Sequence, residues 1–137
     1  MSQENVEIVR RLNEVADREG VRGALEATIA EGLFDEDVEW VEDPIWPGAG
    51  VYRGLAAVRA LFAERTDSFA VDQRVERILD AGDHVVAFVR WSGRGQTSGA
   101  EADMRLATVT TFRAGKIVRI RFYFDRTAAL EAVGLEE

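Results

Sequence analysis

The stretch ADMRLATVTTFRAGKIVRIRFYF, residues 102–124, reads as two long strands joined by one tight turn. Ala114-Gly115 makes the turn, since glycine takes the positive φ that a short hairpin requires. Side chains on a strand alternate between two faces. On the first strand Met104, Leu106, Thr108, Thr110 and Phe112 therefore share one face, against Asp103, Arg105, Ala107, Val109, Thr111 and Arg113. On the second, Val118, Ile120, Phe122 and Phe124 oppose Ile117, Arg119, Arg121 and Tyr123. One face is apolar and suits the packing of helices. The other mixes apolar, aromatic and arginine residues, the composition of an interface core. It predicts a homodimer through the outer sheet face.

Working outward, residues 84–92 and 69–80 read as two further strands, turned at Ala81-Gly82-Asp83. Val85, Ala87, Val89 and Trp91 oppose His84, Val86, Phe88 and Arg90. Short turns between long strands predict antiparallel hairpins. Upstream, Ile8, Val9, Leu12, Val15 and Ala16 fall on one helical face, and Gly20 marks a stop. A second helical run carries Val21, Ala24, Leu25, Thr28 and Ile29. Val38 and Trp40 mark a short strand that Pro44 ends, VYR at 51–53 a brief one, and Leu55, Val58, Leu61 and Phe62 a further helix. Asp125 caps a last helix ending at Gly134. The fold class is α+β, and one domain fills residues 1–137.

Composition narrows the function classes. The chain has 137 residues, 47% hydrophobic and 31% charged, a balance that supports a core without staples. It lacks cysteine, which removes disulfides, thiolate metal sites and a cysteine nucleophile. The net charge of -8 disfavours a nucleic-acid binder, whose affinity comes from neutralising phosphates. No apolar run is long enough for a membrane span, and the first residues lack the basic-then-apolar order of a secretory signal. A cytoplasmic location is the default expectation. His84 is the only histidine, stands at a hairpin turn and reads as a surface residue. Asp35, Glu36 and Asp37 read as a solvated acidic loop, Glu101 and Asp103, near Arg105, as residues that pair across strands, and residues 93–99 as a glycine-rich rim. No metal and no cofactor is expected.

The segments SQENVEIVRRLNE, DEDVEWVEDP, GVYRGLAAVRALF, DAGDHVVAFVRWSGRG, FRAGKIVRIRFYFDR and ALEAVGL span nearly the whole chain. In this order they resemble the SnoaL-like branch of the nuclear transport factor 2-like superfamily. The resemblance implies a cone: a curved antiparallel sheet with helices on its concave face, enclosing an apolar pocket. It also implies dimerisation through the outer face. The superfamily holds polyketide cyclases, ketosteroid isomerases, epoxide hydrolases and non-catalytic domains, so fold alone assigns no reaction.

Asp43 is the candidate general base. Val41-Glu42-Asp43-Pro44 resembles the stretch that holds the base in ketosteroid isomerases, and a carboxylate beside Ile45 and Trp46 suits proton abstraction next to a carbonyl. The remaining isomerase groups do not carry over. Leu12 stands where the resemblance places the tyrosine donor, and Thr110 where it places a protonated acid. The hydroxyl of Thr110 is the weaker donor of the two. The acid and arginine set of the epoxide hydrolases is likewise missing, with Phe122, Val89 and Trp91 at its positions. A pocket lined by Leu12, Trp46, Val89, Trp91, Met104, Leu106, Thr108 and Phe122 completes the candidate site. Two readings stand. One is a dimeric module that binds a small apolar molecule, without catalysis. The other is an acid-base enzyme of cyclase or isomerase type, with Asp43 as base. The binding module is preferred, because only one of the expected polar catalytic parts is present.

Overall fold

The computed structural model describes residues 2–45, 49–65, 69–95 and 101–135, with the side chains of residues 65, 69–72, 93–95, 101 and 102 left undescribed. The elements run α1 (Ser2–Ala30), β1 (Phe34–Val41), β2 (Val51–Arg53), α2 (Leu55–Arg65), β3 (Phe69–Ala81), β4 (His84–Gly95), β5 (Glu101–Arg113), β6 (Lys116–Tyr123) and α3 (Arg126–Ala132). Six strands form one open, curved sheet in the order β2-β1-β6-β5-β4-β3. Every pairing is antiparallel except β1 with β6, which is parallel. The α+β class follows. The 102–124 stretch becomes the β5–β6 hairpin, with Ala114 and Gly115 at φ 53 and 78.

Gly20 breaks the first helical run as its position suggests. Its φ of 83 and ψ of 168 lie outside the helical region, so the run bends there into two segments. Val9 and Leu25, one from each segment, enter the main core. α1 lies along β3 and reaches β4, while α2 rests on β1 and β2. Their core partners are the inner-face residues Val38, Trp40, Val85, Ala87, Val89, Leu106, Phe112, Ile120 and Phe122. The alternation read from β4 and β5 is therefore the alternation observed.

On β6 it fails at one point. Ile117 was expected outside and Val118 inside, yet Ile117 is fully buried in the main core. The register explains this: Phe112 pairs with Ile117 and Thr111 with Arg119, so Val118 is an extra residue. A bulge of this kind reverses the parity of everything before it and bends the strand. A second bulge leaves Glu76 unpaired between Val75 and Arg77 on β3. It allows Val75 and Ile78, three residues apart, to pack on the same core. A third irregularity lies between Phe34 and Glu39. Asp35–Asp37, expected as a loop, belong to β1 within it, with the Asp37 amide donating to the Asp35 carboxylate at 2.9 Å.

The last helix departs furthest from expectation. Asp125 caps it as read, accepting from the amides of Thr127 and Ala128. α3 does not join the inner face. Its Ala129 and Leu130 pack on Val86, Phe88, Ala107 and Val109, the outer residues of β4 and β5. The apolar part of the outer face, the feature behind the expected homodimer, is thus covered by the chain's own last helix. Arg126 fixes it there. Its guanidinium lies 4.8 Å from the Phe88 ring centre, donates to the carbonyls of Val89 and Leu106 at 3.1 and 3.4 Å, and pairs with the bulged Glu76.

Candidate functional site

Seven of the eight residues expected to line a pocket lie among the described residues. Val89, Leu106 and Phe122 are buried in the main core cluster, and Leu12, Trp91 and Met104 pack against it half-buried. Thr108, also half-buried, pairs with Ala87 on one side and Phe122 on the other. Trp46 lies outside the described residues. Thr110 is 4% exposed and sits between Val85 and Ile120.

Two aromatic residues that the candidate list omits hold the centre. Trp40 of β1 lies with its ring centre 4.6 Å from Phe122 and 4.9 Å from Phe62 of α2, the latter nearly edge-on at 81°. Trp91 approaches Phe122 from the other side at 5.8 Å. Trp40 inherits this position from its parity with Val38. Such ring pairs add about 0.5–1.5 kcal/mol beyond the area they bury.

A polar chain was also missed. The Trp91 indole N–H donates to Gln73 Oε1 at 2.6 Å, Gln73 Nε2 donates to Asn13 Oδ1 at 2.6 Å, and Asn13 Nδ2 donates to the Val9 carbonyl at 2.9 Å. Asn13 and Gln73 are 4% and 7% exposed. Buried amides persist only when paired, because an unpaired buried polar group costs about 1–3 kcal/mol. This chain fixes the plane of Trp91 across α1, β3 and β4. Asn13 could have been noticed from the sequence as a polar residue midway between Val9 and Ala16 on the apolar helix face. Gln73 carries no such mark.

Trp40 has no counterpart to that chain. Its Nε1 is closed off from solvent and has no hydrogen-bond partner among the described residues. Among the described residues the buried polar side chains are Asn5, Asn13, Thr28, Gln73 and Thr110, none of them ionisable.

Asp43 lies just beyond β1, half-buried. Both carboxylate oxygens are occupied by backbone amides. Oδ2 accepts from Phe124 at 2.8 Å and Oδ1 from Ile45 at 3.1 Å. The side chain thereby extends the β1–β6 seam past its last backbone pair, Val41 with Arg121. Glu42 accepts from the Gly50 amide at 3.2 Å.

The remaining polar residues sit elsewhere. His84 is half-buried rather than on the surface, with Nδ1 2.8 Å from Thr111 Oγ1 across the β4–β5 pair. Asp103 pairs across strands with Arg90 of β4, at 2.8 Å from its Nε. The side chain of Glu101 and residues 96–99 of the expected rim lie outside the described residues. Arg74, Arg90 and Arg105 form one cross-strand row on the outer face. No helix among the described residues is long and apolar enough to cross a membrane.

An open curved sheet with two helices on its inner face and an apolar centre defines the nuclear transport factor 2-like class of α+β domains. Within it, the model of the SnoaL-like domain matches residues 9–120, and the chain belongs to that family. No curated protein matches the sequence. Solved structures match over most of their length. A nuclear transport factor 2-like protein from Burkholderia xenovorans is 28% identical, with 97% of this chain and 98% of that one covered and a TM-score of 0.71. A protein from Jannaschia sp., described as a SnoaL-like polyketide cyclase, is 20% identical over 99% and 95%, with a TM-score of 0.73. A protein of ketosteroid isomerase-like fold from Catenulispora acidiphila, in complex with trimethylamine, is 19% identical over 95% and 94%, with a TM-score of 0.69. The last two likenesses speak to fold alone.

Proposed function

We propose that the inner face of the sheet binds a small apolar molecule and that the domain works by binding rather than by proton transfer. The observation that carries this reading is the make-up of that face. Trp40, Phe62, Trp91, Met104 and Phe122 meet between β1, β4, β5, β6 and α2, and no ionisable side chain is buried beside them among the described residues. Apolar lining with a few fixed polar groups is the usual composition of a small-molecule site. An acid-base mechanism needs a free base and a donor for the developing oxyanion. The Asp43 carboxylate is engaged by two backbone amides, so the reading with Asp43 as base has less support than the binding reading. Pairing of two copies through the outer face would have to use the charged surface that α3 leaves open.

The test is a titration with N-phenyl-1-naphthylamine, a neutral dye that brightens in apolar sites. The wild-type chain and Asp43→Asn are expected to bind it alike, and Met104→Trp, which fills the lining, to weaken binding at least ~10-fold, as lost space in a packed interior demands. Absence of binding by the wild-type chain, or equal binding by Met104→Trp, would overturn the reading.

A further inference from the structure

We infer that Trp40 is the hydrogen-bond donor of this site and selects neutral apolar molecules that carry an acceptor oxygen, such as a ketone, ether or amide. The inference rests on the binding reading above and adds the chemistry of the ligand.

Buried donors without partners are rare in folded proteins, and each one asks for a cause. Two indoles face the same apolar interior here. Trp91 is satisfied by Gln73, which is itself held by Asn13. Trp40, 8% exposed and in ring contact with Phe62 and Phe122, has its Nε1 unpartnered among the described residues. The chain therefore provides two buried amides for one indole and none for the other. An unhydrated donor in apolar surroundings is a strong point of selection, because an acceptor reaching it displaces no water from that nitrogen. A ligand without an acceptor leaves the donor as orphaned as before. Sites built around such a group discriminate far better than sites built on shape alone.

Charge is selected against by the same surroundings. The buried polar side chains of the described interior are amides and hydroxyls. A carboxylate or ammonium on the ligand would lose its water and meet no counter-ion, which is far costlier than burying a neutral oxygen. The way in runs past Phe62. Its ring stands edge-on against Trp40, it is half-buried, and its helix α2 rests on the sheet edge formed by β1 and β2, tied to α1 by the exposed Arg59–Glu26 pair. The ligand takes the place of that ring against the indole.

Three bicyclic probes of similar size separate the possibilities: tetralin, 1-tetralone and 2-naphthoate. Calorimetry on the wild-type chain is expected to give ~10-fold tighter binding of 1-tetralone than of tetralin, the factor one net hydrogen bond provides. Binding of 2-naphthoate is expected to be weaker than either. In Trp40→Phe, which keeps a ring and loses the donor, the two neutral probes should bind equally. The indole N–H resonance of Trp40 in the wild-type chain should shift downfield with 1-tetralone and not with tetralin, a readout that needs no variant to fold. Equal binding of tetralin and 1-tetralone by the wild-type chain, or an unmoved indole resonance with 1-tetralone bound, overturns the role of Trp40 and leaves the site standing. Failure of both neutral probes to bind overturns the site and this inference together.

Discussion

At the scale of single residues, the β5–β6 turn carries the clearest strain. Ala114 is the one non-glycine with positive φ among the described residues. A left-handed backbone costs a Cβ-bearing residue about 1–2 kcal/mol, and asparagine tolerates it better. Ala114→Asn is expected to stabilise the domain by about 1 kcal/mol, raising the thermal midpoint by about 3–5 °C. Scanning calorimetry would read this, and an unchanged or lowered midpoint would refute it. The residue scale also holds the misplaced emphasis of the sequence reading. Asp43 was legible as a carboxylate before a proline at a strand end. That its oxygens hold the amides of Ile45 and Phe124 was not, because Phe124 lies 81 residues further along the chain. Trp40 shows the reverse: that it shares a face with Val38 was legible from the alternation, but the direction of that face and an unpartnered nitrogen are defined only by everything packed around it.

Among the elements, α3 is the one whose place tertiary packing decided. Its cap and stop were readable in Asp125 and Gly134, since both act within a turn or two of chain. Its seven residues carry too short an apolar pattern to say which sheet face receives it. The outer apolar residues Val86, Phe88 and Val109 have the composition of an interface, and within the chain α3 packs on them. Leu130 is nearly fully buried at that contact. Leu130→Ala is expected to cost about 2–5 kcal/mol and to free the helix from the sheet. Urea unfolding measures the loss. Sedimentation should then detect self-association through the uncovered outer face. A variant as stable and as monodisperse as wild type would contradict the covering role of α3. β6 teaches the same lesson by a different route. Its alternation was correct from Arg119 onward and wrong before it, because a bulge at Val118 leaves no signature in a run of β-branched residues.

For the molecule as a whole, charge is placed outside and partly in pairs. Hydrogen bonding to Arg126 holds Glu76 below the usual carboxylate range, Arg90 does the same for Asp103, and Arg53, helped by Arg119, for Glu39. Asp17 is shifted the other way, chiefly by burial, with Arg74 opposing. A carboxylate lowered in the folded state contributes stability that is fully present above its unfolded pKa and is lost as pH falls through the folded value. Among the described residues, three lowered groups against one raised give a net loss on acidification, setting in below about pH 4. All three pairs lie at the surface, so salt should weaken the effect. Thermal midpoints between pH 6 and pH 2 should fall in the acid limb, and Asp103→Asn should flatten that limb while lowering the midpoint at neutral pH. An acid limb equally steep in the variant would remove Asp103 from the account.

The sequence by itself determined the α+β class, the order of elements, the hairpin turns and most inward faces. These depend on period-two alternation, glycine conformation and capping, which act over a few neighbouring residues. Tertiary structure alone decided the bulges at Glu76 and Val118, the seating of α3 outside the sheet, the amide partners of Asp43, and which of two inward indoles is satisfied. Each joins positions far apart in the chain, such as Asn13, Gln73 and Trp91. A linear pattern does not encode which distant side chain arrives, or whether one arrives at all.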